Sequence, residues 1–323
     1  MNIFCFSMNV KSSLSATQKI LFYFLYCFLY ILSLIPFGVI YILSDFLYFI
    51  AYYIIRYRRK LVRKNLKESF PQKSDNEIIE IEKNFYLWLC DYIVETIKLA
   101  SISKEEMKRR VTYTNLDVLN DTLNKGYSIA FYLGHYCNWE YVTSLGLYMP
   151  ENSITQQVYH PLENKVMDAI MLKLRSKMGT ESVSMENILR RIGEAKRDKQ
   201  QISIGFISDQ VPFWNNIHYW TNFLNHDTPV LTGTERLAKK FDLACIYLDM
   251  SRRKRGYYEI DIKLLTDEPK QMKDWNITEM FFRTFEKTIQ QQPEQWLWTH
   301  NRWKRTREDY NKMIDAETGR IKF

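Results

Sequence analysis

An uncharged stretch close to the N-terminus limits how this chain can fold. Residues 21–43 contain no charged side chain, and residues 46–55, which follow Asp45, are uncharged again. About 20 apolar residues can cross a bilayer, and a signal peptide would have a shorter apolar core and a small-residue cleavage site. We therefore predict a membrane-associated helical segment, with a buried helix of a soluble domain as the alternative. The many Tyr and Phe residues, with Pro36 between them, also fit a helix in the interface or a bent re-entrant pair.

A basic cluster follows the uncharged stretch directly. Seven of the twelve residues 56–67 are Lys or Arg, and the whole chain has a formal net charge of +8. Basic residues beside an apolar segment bind anionic headgroups and stay on the cytoplasmic side of a membrane. The charge would also suit nucleic acid or an acidic carrier protein. Because the apolar segment already explains the cluster, we expect a membrane partner and no nucleic-acid partner.

The remainder of the chain predicts one large α/β domain. Beyond about residue 110, short β-rich runs alternate with helical stretches, which is typical of a central, mostly parallel sheet flanked by helices. We predict strands near 128–134, 153–159, 202–207, 244–250 and 257–264, and helices near 139–148, 163–178, 185–199, 232–241 and 274–291. The last two strands should form an antiparallel hairpin. The expected organisation is a tail at 1–20, a membrane anchor with its basic segment at 21–67, and the α/β domain at 68–323.

The cysteines and histidines give no sign of a metal site. The five cysteines are scattered, and no two of them form a Cys-x-x-Cys pair. An odd, scattered set fits a reducing compartment better than a disulfide framework. His218 and His226 have a spacing that matches no ligand pattern. We predict no metal and no cofactor.

Residues 134–140 carry the strongest catalytic signal of the chain. They read Gly-His-Tyr-Cys-Asn-Trp-Glu and follow the first predicted strand of the sheet. In open α/β sheets, ligands bind beyond the carboxyl ends of the strands. His135, His160 and Asp209 each follow a different predicted strand, so we expect all three to lie at that edge.

His135 and Glu140 are predicted to work as a pair. Residues five apart on one helix point about 140° away from each other, so His135 must lie in a loop and Glu140 on the first helical turn, with Asn138 as its N-cap. Glu140 would accept a hydrogen bond from one imidazole nitrogen and leave the other basic, as in the orienting part of a serine-protease triad. Two alternatives stay open, which are Cys137 as an acyl-enzyme nucleophile and a His–Glu contact that only pins the loop.

At these residues the chain resembles the lipid A biosynthesis late acyltransferases of the lysophospholipid acyltransferase superfamily. The resemblance covers nearly the whole chain from about Leu21. It rests on Gly-His-x4-Glu at 134–140, Tyr159-His160-Pro161, Arg175, Asp209, and a Pro-Glu-Gln-Trp-x-Trp-x-His-x-Arg-x-Lys signature at 293–304. Two positions depart from the family pattern, since His160 replaces the usual Arg and Asn164-Lys165 replaces the frequent Asn-Pro.

The resemblance implies a glycerolipid acyltransferase-like fold and transfer of a fatty acyl chain to a hydroxyl of a lipid A precursor. The donor would be a thioester of acyl carrier protein, or acyl-CoA, and the protein would be a monomer at the cytoplasmic face of the inner membrane. His135 would act as general base, oriented by Glu140. The residues implied in substrate binding are Asn138, Tyr159, His160, Arg175 and Asp209.

Other functions remain as alternatives to this one. The acceptor could be another lipid, such as a lysophospholipid or an aminolipid, or the enzyme could be a hydrolase in which His135 activates water. A non-enzymatic membrane-binding scaffold is a third alternative. The presence of His135, Glu140 and Asp209 at predicted strand ends argues against a scaffold.

Overall fold

The computed structural model describes residues 14–150, 153–314 and 321, so residues 1–13 of the predicted tail, with Cys5, lie outside the described residues. The described chain begins with two apolar helices, α1 at Ala16–Leu34 and α2 at Phe37–Phe49, and a π-helical turn at Ile50–Ile54 continues α2. Pro36 directly precedes α2. Because proline has no backbone N–H, it separates the two helices. By length and composition, α1 could cross a membrane, and so could α2 together with its π-helical turn.

Nine further α-helices follow in the described chain. They are α3 at Arg59–Ser69, α4 at Asp75–Lys98, α5 at Lys104–Arg110, α6 at Leu116–Asn124, α7 at Lys165–Arg175, α8 at Ile188–Arg197, α9 at Gly233–Phe241, α10 at Asn276–Gln291 and α11 at Arg307–Met313. The helix predicted after Asn138 is a 3-10 helix, Trp139–Leu147. The helices predicted at 163–178, 185–199, 232–241 and 274–291 correspond to α7, α8, α9 and α10.

The two N-terminal helices pack against the rest of the protein along one side. α1 contacts α4 and α7, and α2 contacts α4. Large apolar side chains are exposed on the side that faces away, and they include Ile20, Phe24, Ile31, Ile42 and Phe46. The uncharged stretch therefore forms a bent helix pair with one face on the domain and one apolar face outward.

Nine strands build one large sheet and one small sheet. They are β1 at Val111–Thr114, β2 at Ser128–Leu133, β3 at Ile154–Tyr159, β4 at Glu181–Ser184, β5 at Ile202–Ile207, β6 at Tyr219–Phe223, β7 at His226–Val230, β8 at Leu243–Lys254 and β9 at Tyr257–Thr266. The large sheet has the order β1-β9-β8-β2-β5-β3-β4, and β6 pairs only with β7. All neighbours in the large sheet are parallel except the β8–β9 hairpin. The predicted α/β fold and the predicted hairpin are confirmed.

Four short strands were not predicted, and each lacks a clear sequence signal. β1 and β4 have only four residues each, which is the shortest run in which an alternating pattern can be recognised. The turn between β6 and β7 uses Leu224 and Asn225, both with positive φ. Such turns normally carry Asn, Asp or Gly at both positions. Because Leu224 occupies one of them, the sequence does not show the usual hairpin signal.

The order of the parallel strands determines where the loop residues meet. β2 pairs with β5, and β5 pairs with β3, all in the same direction. Their carboxyl ends therefore lie at one edge of the sheet, and the residues that follow them emerge side by side. His135, Asp209 and His160 follow these three strands, as predicted.

Candidate active site

The loop after β2 begins at a glycine that packs directly against α10. A Cβ atom on Gly134 would collide with the ring of Phe285, a buried residue of α10. The segment after α10 holds the next residue of the loop, because the backbone N–H of Leu297 donates to the carbonyl oxygen of His135 at 3.2 Å. The backbone at His135 is thus fixed by the packing of α10 and of the C-terminal signature segment.

His135 forms a hydrogen-bonded pair with Asp209 from the end of the neighbouring strand. Nδ1 of His135 lies 2.7 Å from Oδ1 of Asp209. The other carboxylate oxygen, Oδ2, accepts the backbone N–H of His135 at 3.0 Å and the indole N–H of Trp296 at 2.8 Å. Because a carboxylate only accepts hydrogen bonds, the imidazole carries its proton on Nδ1. The lone pair is then on Nε2.

The electrostatics of the pair keep Asp209 ionised. Burial alone would raise the pKa of Asp209, but attraction to His135 and the hydrogen bonds from His135 and Trp296 outweigh it and lower the pKa to about 2. A negative charge beside Nδ1 stabilises the imidazolium that forms when Nε2 takes up a proton. The pair can therefore act as a general base.

The His135 side chain is less buried than its partner, and two further side chains contact it. The His135 side chain is 17% exposed, whereas the Asp209 side chain is 3% exposed. The side-chain amide of Gln210 lies 3.2 Å from Nε2, and it can donate to the lone pair. The ring of Trp139 meets the imidazole edge-to-face with centroids 5.1 Å apart. The imidazole is therefore contacted by Trp139 at its ring and by Gln210 at its basic nitrogen.

The predicted contact between Glu140 and His135 is wrong. Glu140 instead forms a two-fold hydrogen-bonded ion pair with Arg175 at the end of α7, with Nε–Oε2 and Nη2–Oε1 distances of 2.7 and 2.6 Å. The Glu140 side chain is only 2% exposed, and the Arg175 charge compensates the burial of its carboxylate. Asp209 occupies the position beside the imidazole that we predicted for Glu140.

The contacts of Asp209 favour a different role from the one that we predicted. We expected Asp209 to bind substrate, but it is almost fully buried and both of its oxygens accept protein hydrogen bonds. Its geometry fits the orientation of His135 and leaves no exposed face for an acceptor. Arg175, by contrast, keeps a side chain that is 21% exposed.

Asn138 caps the 3-10 helix, as predicted. Its side-chain oxygen accepts the backbone N–H of Tyr141 at 3.3 Å. Its side-chain N–H group donates to Oε2 of Glu95 at 2.7 Å, and the residue is fully buried. Asn138 is therefore held inside the protein by Glu95 and by its own helix, and its role in substrate binding stays a prediction.

Tyr159 and His160 lie at the end of β3, on the far side of β5 from His135. His160 is exposed, and its Nδ1 lies 3.0 Å from the carbonyl oxygen of the next residue, Pro161. Burial raises the pKa of Tyr159, with a further contribution from Asp168. Both residues lie at the same edge of the sheet as His135, one strand further away.

Gln210 and Trp296 contact the pair although neither was named among the predicted site residues. Gln210 follows Asp209 directly, so the strand-end position of Asp209 was the available signal. Trp296 belongs to the C-terminal signature, and it is 2% exposed. Only the tertiary structure shows that its indole N–H bonds Asp209.

A second histidine lies close to the pair, in a buried environment. The charges of Asp209 and His135 both act on His300, and its Nε2 is buried with no hydrogen-bond partner among the described residues. Burial is the largest effect and lowers the pKa of His300 to about 4. His300 therefore stays neutral at physiological pH.

We expect the free energy of unfolding to fall as the pH drops from about 6.5 towards 4. In this window the unfolded chain protonates its histidines, whereas His300 with its pKa of about 4 stays neutral in the folded state. Stability therefore rises with pH, and the contribution of one such histidine is at most about 3 kcal/mol. Urea unfolding in detergent at pH 7 and pH 5 should show a smaller pH dependence for His300→Gln than for wild type. An equal dependence in both proteins would contradict the assignment.

Comparisons with known proteins agree with the motifs. A family model for bacterial lipid A biosynthesis acyltransferases matches residues 7–305. The chain is also similar to lipid A biosynthesis acyltransferase 2 of Shigella flexneri, with 26% identity over 141 residues. That alignment spans 43% of this chain and 44% of the relative, which is less than half of each. Since the family model covers almost the whole chain, including the His135 loop and the C-terminal signature, the chain belongs to the bacterial lipid A biosynthesis acyltransferase family.

Proposed function

We propose that this protein transfers a fatty acyl chain from a thioester to a hydroxyl of a lipid A precursor at a membrane surface. Membership of the family supports acyl transfer in lipid A biosynthesis. The proposed donor is acyl carrier protein or acyl-CoA. The observation that carries the proposal is the His135–Asp209 pair at the carboxyl edge of the sheet, because it leaves one imidazole nitrogen ready to take a proton.

The proposed reaction is a direct transfer without an acyl-enzyme. Nε2 of His135 removes the proton of the acceptor hydroxyl while its oxygen attacks the thioester carbonyl. A C–O bond forms, and the carbonyl oxygen becomes an oxyanion. When the oxyanion collapses, the C–S bond breaks and the imidazolium returns the proton to the leaving thiolate. The products are an ester and a free thiol, and His135 is neutral again.

Asp209 is the proposed orienting residue, in place of Glu140. It fixes the tautomer with the proton on Nδ1 and stabilises the imidazolium of the intermediate. Gln210 lies where the acceptor hydroxyl must approach Nε2. We propose that the hydroxyl displaces the Gln210 amide, which can then bind the acceptor oxygen.

Arg175 is the proposed anion-binding residue of the site. Its Nε and one Nη2 hydrogen hold Glu140, and the remaining N–H groups belong to a side chain that is partly exposed. A partly exposed guanidinium suits the oxyanion or a phosphate of the acceptor. Tyr159 and His160, at the end of β3, are the proposed further substrate contacts, and the exposed His160 would supply the polar group that the family usually supplies with Arg.

The N-terminal helices are the proposed membrane anchor, on the cytoplasmic face of the inner membrane. α2 turns Ser44 and Asp45 towards the domain, where Ser44 donates to Asp91 at 2.7 Å and Asp45 pairs with Arg255 at 2.6 Å. A helix surrounded by lipid would leave such groups unpaired. We therefore propose that the helix pair lies in the interface along the domain, with its apolar face in the lipid.

Mass spectrometry of the lipid A and total lipids of a deletion strain tests the proposed function. We expect lipid A that lacks one acyl chain, restored by the wild-type gene and not by His135→Ala. Unchanged lipid A with another altered lipid would show that the acceptor is a different lipid. No change in any lipid would favour a scaffold. Thioester hydrolysis by the purified protein without an acceptor would reveal a hydrolase.

Cys137→Ser is expected to keep most of the transfer activity. Cys137 is fully buried, its Sγ lies 3.8 Å from the carbonyl oxygen of Met250, and burial raises the pKa of its thiol well above the ordinary value. A protonated, inaccessible thiol is a poor nucleophile. Steady-state rates of both proteins and intact mass after incubation with donor alone give the measurement. A loss of about 100-fold or more, or an acyl adduct on the wild type alone, would establish the acyl-enzyme route.

A further inference from the structure

We propose that Glu95 is a positioning residue that fixes the catalytic loop, residues 134–138, to the membrane-associated helix α2. Glu95 lies in α4 and is fully buried. Its side chain joins Tyr41 of α2, Asn138 of the loop and Tyr258 of β9, and we call these four residues the Glu95 cluster. The inference rests on the proposed function, since it assigns Glu95 to the same catalytic site.

Three donors converge on the Glu95 carboxylate. Oε1 accepts the hydroxyl of Tyr41 at 2.8 Å, and Oε2 accepts the side-chain N–H of Asn138 and the hydroxyl of Tyr258, both at 2.7 Å. Bonds from donors to a buried carboxylate are among the stronger hydrogen bonds of proteins. Burial raises the pKa of Glu95, and the hydrogen bonds from Asn138, Tyr258 and Tyr41 oppose that rise.

Asn138 has one possible orientation in this cluster. Its side-chain oxygen already accepts the backbone N–H of Tyr141, so its N–H group must face Glu95. The hydroxyl of Tyr141 also donates to the backbone oxygen of Glu95 at 3.2 Å. The segment that begins three residues after His135 is therefore held to α4 by two contacts with the same residue.

The route from α2 to Glu95 is narrow. A Cβ atom on Gly256 would collide with the hydroxyl of Tyr41, and Gly256 has a φ of +74°, which L side chains rarely adopt. The glycine at the β8–β9 turn thus leaves the space through which Tyr41 reaches the buried carboxylate. On the same helix, Ile42 and Phe46 are exposed, with 67% and 59% of their surface accessible. One helix therefore contacts both the proposed lipid surface and the support of the catalytic loop.

A second contact between the same two helices supplies a matched control. The hydroxyl of Ser44 in α2 donates to Oδ1 of Asp91 in α4 at 2.7 Å. Asp91 also binds Arg252 and Arg255, but no contact joins it to Asn138. Loss of the Ser44 hydrogen bond should weaken the packing of α2 on α4. It should leave the contacts of Glu95 with the catalytic loop unchanged.

Tyr41→Phe is expected to lower kcat roughly tenfold with the KM values of donor and acceptor unchanged. A tenfold change is the factor that loss of one hydrogen bond to a carboxylate can produce, and small displacements of a catalytic group act on kcat. Ser44→Ala should lower the Tm by a similar amount and keep the wild-type kcat. The KM values and the Tm of both variants are measured in the same detergent.

The two substitutions of Glu95 itself separate geometry from charge. Glu95→Gln can keep an oxygen towards Asn138 and Tyr258 and turn its NH2 group to Tyr41, whose hydroxyl can accept. It is therefore expected to stay within roughly threefold of the wild-type kcat. Glu95→Leu cannot make these bonds and should lose at least as much activity as Tyr41→Phe. Adding Tyr41→Phe to Glu95→Leu should cause no further loss, because the contact is already gone.

A measurement without substrates keeps the test independent of the proposed reaction. The rate at which diethylpyrocarbonate modifies His135, followed by peptide mass spectrometry, should rise severalfold in Tyr41→Phe and stay unchanged in Ser44→Ala. If both variants lose the same Tm but keep wild-type kcat and wild-type His135 modification, Glu95 only seats the helix and the proposal is overturned. If the wild type transfers no acyl chain, the proposed function fails, and the modification rates still decide the role of Glu95.

Discussion

Replacing His135 with alanine should lower kcat for acyl transfer by about 10²- to 10⁴-fold, which is the usual contribution of a positioned general base. The variant should stay folded and membrane-bound. His135 is partly exposed, and Asp209 keeps the backbone N–H of residue 135 and the Trp296 indole as hydrogen-bond donors. The measurement uses purified protein with a thioester donor and a lipid A precursor in micelles, together with the Tm.

The matched control for this variant is His218→Gln. His218 is exposed, and its Nε2 lies 3.3 Å from Nη1 of Arg236. It makes no contact with His135 or Asp209 among the described hydrogen bonds, so its substitution should leave kcat within about twofold of wild type. Turnover by His135→Ala at the wild-type rate would rule out the proposed mechanism. A parallel loss of Tm in His135→Ala would instead mean that the imidazole mainly supports the fold.

Asp209→Asn tests the orienting role without a change of size. The backbone N–H of His135 and the Trp296 indole both donate to Oδ2, so the amide oxygen must take that position. The amide NH2 then faces Nδ1 of His135 and forces the proton onto Nε2. A base with its proton on the reacting nitrogen cannot accept another, and kcat should fall about 100-fold or more. Unchanged kcat would show that Asp209 has only a structural role.

The sequence located the candidate histidine, His135, but assigned it the wrong hydrogen-bond partner. His135 was identifiable because it follows a buried strand, where the carboxyl edge of a parallel sheet places its ligand-binding residues. The partner depends on which strands are neighbours. Asp209 is 74 residues away along the chain, whereas Glu140 is nearby, and spacing alone favours the local residue. The β2–β5 pairing, which sequence patterns do not encode, decides in favour of Asp209.

The same limit explains why the Glu95 cluster was not predicted. Tyr41, Asn138 and Tyr258 come from three distant parts of the chain and meet at one carboxylate of α4. Glu95 itself reads as a polar position in an amphipathic helix. By contrast, the capping role of Asn138 was predictable, since a cap depends on residues three positions apart. Local sequence signals predicted most helices and strands and the position of His135. The contacts between separate elements could be known only from the folded structure.

Arg175→Met is expected to lower the free energy of unfolding by about 3–5 kcal/mol, because it leaves the Glu140 carboxylate buried without a countercharge. The Glu140 side chain is 2% exposed and both of its oxygens bind Arg175. Glu140→Gln should cost less, since Arg175 is partly exposed and water can solvate its charge. In the double variant, Glu140→Gln with Arg175→Met, no charge is buried. Its loss of unfolding free energy should therefore be smaller than the sum of the two single losses by about 1–3 kcal/mol. Urea unfolding of the four proteins in the same detergent measures this coupling.

Activity measurements on the same proteins separate the two carboxylates of the site. Glu140→Gln leaves the His135–Asp209 pair intact, so it should keep its pH–rate profile and lose far less kcat than Asp209→Asn. Arg175→Lys keeps the charge without the two-fold pairing, so any loss beyond that of Glu140→Gln reports on binding of the acceptor or the oxyanion. If Glu140→Gln loses as much kcat as Asp209→Asn at an unchanged Tm, Glu140 is the orienting acid after all. Additive stability losses in the double variant would show that the ion pair contributes nothing of its own to the fold.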